Sequence, residues 1–251
     1  MSAAAMVADP AWPRARIFCC PYAGGSSLAY RRWADGDPDV EVVSLDYPGR
    51  LQRDDEPMLR SVAELAASLF EDIADKLDRP AAIVGSSLGG LVAFELVRLA
   101  ERRGIRIAVL VVCACAAPAR LQRRQALADL DDDAFVAGLT ERYGGAFGAV
   151  AADPEARELF LPILRADIET FEAYAGTEVT PIRAEIIAVR GEADRAVSFA
   201  DVAAWRACSS GAVQLLAVPG DHFFVQDRPS AVLHEIRSRL TRAPGRKDGA
   251  A

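Results

Sequence analysis

The sequence predicts an α/β fold, in which a central, mostly parallel sheet carries helices on both faces and one helical insertion. Three observations predict it. Short, almost wholly apolar runs such as "AAIVG" (81–85) and "IAVLVVCA" (107–114) have the composition of strands covered on both sides. Segments of helical period alternate with them, which is the pattern of parallel βαβ units. From about residue 121 to 180 the alternation stops and helical patterns alone remain.

Each element follows in order. "ARIFCC" (15–20) is a predicted buried strand running into the turn-rich loop "PYAGGSS". "LAYRRWADG" is predicted as a short helix ending at its glycine. "VEVVSL" (40–45) is the second strand, followed by the loop "DYPGR". Leu65, Leu69, Ile73 and Leu77 form a stripe over a helix at 61–77, with Ser61 and Glu64 as an expected capping box. The strand 81–85 ends at paired serines, and "LGGLVAFELVRLAERRG" is helical up to Gly104. The strand at 107–114 follows. In the insertion, "DDDAFVAGLTERYGG" opens on an aspartate cap, and a second helix opens with Asp153 as cap and Pro154 at its first position. The sheet pattern resumes with "EIIAVR" (185–190), the helix "FADVAAWRAC", the strand "AVQLLAVPG" (212–220) and the closing helix "SAVLHEIRSRL".

The predicted organisation is an N-terminal extension (1–14), a core of 15–120 and 181–241, a helical lid (121–180) and a flexible tail (242–251). The 251 residues suffice for one large core, and a net charge of −7 without clustered positive charge argues against nucleic acid as a partner. No stretch has the ~18 continuous apolar residues of a membrane span, and the N-terminus lacks a signal-peptide pattern, so a cytoplasmic chain is expected. Five cysteines, an odd count lying mostly in apolar runs, predict buried free thiols rather than disulfides or a metal site. Cys113 and Cys115, two apart on a predicted strand, are expected to share a face.

The chemistry concentrates at Gly85-Ser86-Ser87-Leu88-Gly89, a G-x-S-x-G motif between a predicted strand and a predicted helix. This is the context of the nucleophile elbow of α/β-hydrolases, whose fold is expected here. The glycine frame selects Ser87, since Ser86 has Val84 and Leu88 at the flanking positions. A serine hydroxyl needs a base, and the base needs an orienting acid. Of the two histidines, His222 follows the last strand, whereas His234 lies among charges in the closing helix and reads as a surface residue. The loop after strand 185–190 offers Glu192 and Asp194; Asp194, deeper in the loop, is the favoured acid, and Asp221 reads as structural. The N–H groups of Leu88 and Ala23 are the expected oxyanion donors.

The segments "PYAGGSS", "DYPGR", "GSSLGG", "LRADIETFEAY", "GEAD" and "GDHFF", in this order and spacing, resemble the type II thioesterases that accompany polyketide synthases and nonribosomal peptide synthetases. "YPGR" and "LRAD" are the most family-specific. The resemblance covers about residues 15 to 240. It implies hydrolysis of acyl thioesters from the phosphopantetheine arm of acyl or peptidyl carrier proteins, with Ser87, Asp194 and His222 as the triad and Ala23 and Leu88 as oxyanion donors. It implies no metal and no cofactor beyond the arm that the substrate carries; a monomer is expected. The chain departs from the family pattern at Ser86 and Tyr22, where histidines are usual; both are expected near the pocket. Phe135 and Phe171, with Leu139, Phe160, Leu164 and Ile168, are candidates to line an acyl pocket or to pack the lid. Arg31, Arg32, Arg50 and Arg53 are candidates for a basic rim facing an acidic carrier. Three other readings stay open: a chain-releasing thioesterase or acyltransferase, a general serine esterase, and a non-catalytic carrier-binding module.

Overall fold

The computed structural model of the chain describes residues 13–33, 37–121, 126–144, 147, 152–174, 180–227 and 229–241. Its six strands are β1 (Ala15–Cys20), β2 (Val40–Ser44), β3 (Ala81–Ser86), β4 (Val109–Cys113), β5 (Glu185–Gly191) and β6 (Val213–Val218). All pair in parallel, in the order β2-β1-β3-β4-β5-β6. The helices are α1 (Val62–Ile73), α2 (Leu88–Arg102), α3 (Asp132–Tyr143), α4 (Pro154–Ala173), α5 (Phe199–Ala203), α6 (Phe224–Asp227) and α7 (Pro229–Leu240). The predicted extension and tail lie almost entirely outside the described residues.

The strand period of two sorts the sheet's side chains onto two cores. Phe18, Ile83, Leu110, Val112, Ile186 and Ala188 join α1, α2 and Trp205 on one face. Ile17, Val84, Val109, Val111, Ile187 and Val189 join Tyr30, Trp33 and α7 on the other. Both faces are therefore dry, as the apolar runs predicted. The insertion between β4 and β5 has a small core of its own, built on Phe135, Leu139, Leu161, Leu164 and Ile168. Asp131 caps α3 by accepting from Ala134 N–H, and Asp153 caps α4 ahead of Pro154, as the sequence predicted.

Three local expectations are corrected. Ser61 makes no side-chain cap bond, so the capping box with Glu64 is absent; α1 starts on Leu65 N–H donating to Ser61 O at 2.9 Å and on burial of Val62. "LAYRRW" forms a 3₁₀ segment, Ser27–Trp33, rather than an α-helix, and its predicted glycine end lies outside the described residues. All five cysteines are free and buried, as expected, but Cys113 and Cys115 lie in opposite cores. β4 ends at Cys113, and Ala114 has a left-handed φ of 48°, which breaks the alternation between them.

Candidate active site

The strand order reverses between β1 and β3, and ligand crevices in open parallel sheets form beyond the carboxyl ends at such a point. The loops leaving β1, β3, β4, β5 and β6 meet there. A cavity of about 350 Å³ is bordered by Ser87, Ala114, Val197 and His222, with Phe171 and Tyr143 from the insertion. A smaller recess next to it is bordered by Tyr22, Ala23, Ser87, Leu139 and His222.

Ser87 sits between β3 and α2 with φ 52° and ψ −119°, a conformation that costs a non-glycine residue about 1–3 kcal/mol. Its neighbours hold it there. Ser87 N–H donates to Cys113 O, and Gly90 N–H donates to Ser87 O, both at 2.9 Å. The glycine frame is a matter of space. A Cβ on Gly85 would lie 1.9 Å from Gly89 O, and one on Gly89 would lie 2.3 Å from Cys20 O. The turn thus requires glycine two residues before and two residues after Ser87.

His222 follows β6 and is 4% exposed; its Nδ1 lies 3.0 Å from Asp194 Oδ2. Asp194, in the β5 exit loop, has a fully buried side chain. Its Oδ1 accepts from Ala196 N–H at 2.8 Å and Val197 N–H at 3.2 Å. Those two amides orient the carboxylate, leaving Oδ2 for the imidazole. A carboxylate only accepts, so Nδ1 carries the proton and Nε2 is the basic nitrogen. Tyr143 and Phe223 flank the ring, at centroid distances of 4.9 and 5.4 Å. No hydrogen bond joins Ser87 Oγ to His222 among the described residues, although both border the same cavity; such contacts are often long without substrate.

The N–H groups of Ala23 and Leu88 are free of acceptors among the described residues, while those of Gly24 and Gly25 are engaged. Leu88 opens α2, so its N–H also points along the positive end of that helix. Tyr22 borders the recess and stacks edge-on against Phe223. Its hydroxyl accepts from Gln226 at 2.6 Å, and burial raises its pKa, so it stands there as a neutral phenol.

Other predicted positions fall differently. Ser86 is 1% exposed, ends β3, and borders neither cavity that Ser87 lines. Strand alternation puts it on the opposite side from its neighbour, so closeness in sequence misled. Phe135 is buried inside the insertion's own core, with Arg165 over its ring at 4.3 Å, and Phe160 is exposed. Of the predicted phenylalanines, Phe171 borders the main cavity; Leu139, Leu164 and Ile168 border the recess. Glu192, Asp221 and His234 are exposed. The basic rim does not form as predicted. Arg50 is buried against Asp167, and Arg53 pairs with Glu56 and Asp72, which leaves Arg31 and Arg32 at the surface. The carboxylates that meet Arg50 and Arg53 offset part of the cost of taking these guanidiniums from water. Sequence reasoning missed Tyr143 entirely, named Arg50 only as a basic-rim candidate, and found Asp167 only as a motif letter.

The fold is that of the α/β-hydrolases. The thioesterase-domain family model matches residues 15–240. The chain is 33% identical over 231 residues to AngT, a probable anguibactin biosynthesis thioesterase of Vibrio anguillarum, covering 88% of this chain and 90% of that protein. It is 34% identical over 236 residues to the thioesterase PikA5 of Streptomyces venezuelae, covering 93% and 83%. Its structure resembles that of YbtT, a type II thioesterase from the yersiniabactin NRPS/PKS pathway, with a TM-score of 0.82, 33% identity and coverage of 90% and 93%. The chain belongs to the thioesterase family, as a type II thioesterase that hydrolyses thioesters. No helix among the described residues is long and apolar enough to cross a membrane.

Proposed function

We propose that this enzyme releases acyl groups from the phosphopantetheine arm of carrier proteins in a nonribosomal peptide or polyketide pathway. The observation that carries the reading is a strained Ser87 and a His222 ring, oriented by buried Asp194, that border the same two adjoining cavities, with Ala23 bordering the smaller one and the N–H groups of Ala23 and Leu88 free of acceptors among the described residues. The likeness to YbtT of an NRPS/PKS pathway and to AngT of anguibactin biosynthesis supports the substrate class.

Ser87 Oγ attacks the thioester carbonyl while His222 Nε2 takes its proton. The Ala23 and Leu88 N–H groups stabilise the oxyanion, and His222 then protonates the departing thiol. Water, deprotonated by His222, attacks the acyl–Ser87 ester; the acid leaves and Ser87 recovers its proton. Asp194 remains ionised and stabilises the imidazolium in both halves. Phe171, Leu121 and Val197 give the acyl group apolar wall, and the ion pairs Arg120–Asp201 and Arg142–Glu172 border the same cavity. A cavity of about 350 Å³ is at the small end of ligand sites, so short and medium acyl groups are the expected substrates. No metal or diffusible cofactor takes part in this scheme.

The test is a hydrolysis panel over acyl-carrier proteins of varied chain length, with matched simple oxygen esters and Ser87→Ala as control. Preference for carrier-bound thioesters is expected, with the loss of Ser87 costing about 10³-fold or more in kcat. Equal rates on simple esters would favour a general esterase. Undiminished release by Ser87→Ala would sink the mechanism.

A further inference from the structure

The two most family-specific segments, "YPGR" and "LRAD", have no part in the scheme above, yet they meet at the site. Arg50 and Asp167, 117 residues apart, form a two-pronged ion pair with Nη1–Oδ2 at 2.8 Å and Nη2–Oδ1 at 2.7 Å. Both are nine-tenths or more buried. The pair does not end on itself. Asp167 Oδ2 accepts from Gly24 N–H at 2.7 Å, and Arg50 Nη1 donates to Gly25 O at 2.9 Å. Tyr47, whose ring lies under the Arg50 guanidinium, donates its hydroxyl to Pro21 O at 2.9 Å. Backbone groups on both sides of Ala23 are thus held, and the Ala23 N–H is left free.

The chain bends sharply to deliver Arg50. Gly49 has φ 85° and Leu51 has φ 47°, so left-handed residues flank it on both sides. For leucine this is a strained conformation that persists only where surrounding contacts enforce it.

We infer that Arg50 and Asp167 are positioning residues that set the direction of the Ala23 N–H in the oxyanion hole, an inference that rests on the catalytic reading above. The charge balance fits the task. A lone carboxylate bonded to Gly24 would sit one residue from the developing oxyanion and oppose it. Arg50 cancels that charge while leaving the Gly24 bond intact. Because Asp167 lies on α4, the oxyanion loop has this geometry only while that helix is docked.

Two double variants separate positioning from stability. Arg50→Met/Asp167→Asn keeps an acceptor for Gly24 N–H and leaves no buried charge. Arg50→Met/Asp167→Leu removes the acceptor, and apolar replacement of a buried ion pair is commonly tolerated by the fold. Each is measured for kcat and KM on an acyl thioester and for inhibition by a boronic acid, whose serine adduct places an oxygen in the oxyanion hole. The leucine variant is expected to lose about 10²-fold in kcat, with a parallel loss of boronate affinity and KM within about three-fold. The asparagine variant is expected to keep kcat within about ten-fold. Should the leucine variant not fold, Arg50→Met/Asp167→Ala carries the same comparison. Wild-type kcat in the variant without the acceptor would overturn the inference, as would equal losses in both variants with boronate affinity unchanged. Ser87→Ala in the same assay reports on the catalytic reading separately, since its retained activity would overturn that reading whatever the clamp variants do.

Discussion

Asp194→Asn tests the acid at its most sensitive point, the tautomer of His222. The substitution changes almost no volume, so the fold should persist. What changes is the number of acceptors. Asp194 Oδ1 faces the N–H groups of Ala196 and Val197, and Oδ2 faces His222 Nδ1. Asparagine has one oxygen to serve both sides. With the oxygen toward the two amides, its NH₂ points at Nδ1 and forces the proton onto Nε2, so the imidazole cannot accept from Ser87. With the amide flipped, NH₂ meets two N–H groups at 2.8 and 3.2 Å, and both lose their acceptor. Each unmet buried group costs about 1–3 kcal/mol, so the unproductive state is favoured by about 2–6 kcal/mol. That alone removes about 30-fold to 10⁴-fold of the rate at 1.36 kcal/mol per decade. The lost carboxylate charge beside the imidazolium adds to it, and the expected fall in kcat is about 10³-fold or more. The assay is thiol release from an acyl thioester, with near-ultraviolet circular dichroism to confirm the fold. A folded Asp194→Asn enzyme keeping a tenth of wild-type kcat would refute the tautomer reasoning.

Two further outcomes follow from packing. Gly89→Ala would put a Cβ 2.3 Å from Cys20 O and 2.5 Å from Pro21 O; because backbone cannot yield as a side chain does, a loss of about 3 kcal/mol or more in urea unfolding is expected, and an unchanged midpoint would contradict it. Burial pushes Cys113 up to about 12 and Cys208 up to about 11, so iodoacetamide at pH 8 should label none of the five cysteines in the native enzyme and all of them in denaturant; stoichiometric native labelling would refute the burial of these thiols.

The sheet was legible because its central strands are buried on both faces and so read as short apolar runs, while the half-buried edge strands β2 and β6 are still rich in valine and leucine; each lies within about two residues of its expected span. Ser87 was legible because every requirement of the elbow is local: a strand before it, a helix after it, glycine on either side. His222 and Asp194 were found by their place after β6 and β5, which is a rule of topology rather than of pattern. The Arg50–Asp167 pair was not legible as a pair. An ion pair spanning 117 residues has no periodicity to announce it, and an arginine in a polar loop looks like a surface charge until α4 covers it. Cys115 was misplaced because Ala114 has φ 48°, and the counting of faces along a strand stops there; Ser86 was misplaced because closeness in sequence to Ser87, itself at φ 52°, is not closeness to the cavity.

Ser87 and Ala114, the two residues with these φ values, are also held by the sheet itself. β3 and β4 are neighbours, with Ser86 opposite Cys113, so both strained residues lie just past the ends of one paired ladder. The ladder continues beyond the strands to hold them. Ser87 N–H donates to Cys113 O, and Ala114 N–H donates to Val189 O, each at 2.9 Å. Strain of about 1–3 kcal/mol at each position is thereby opposed by sheet bonds and by a core that could not relax without unpairing three strands. Ser87, the proposed nucleophile, is thus held by the central strands of the sheet. The oxyanion loop, by contrast, hangs from β1 and is tied down through Asp167 on the insertion. With Ser87 held by the sheet and the Ala23 loop by the insertion, on the proposed mechanism displacement of α4 is expected to disturb the Ala23 donor before it disturbs Ser87.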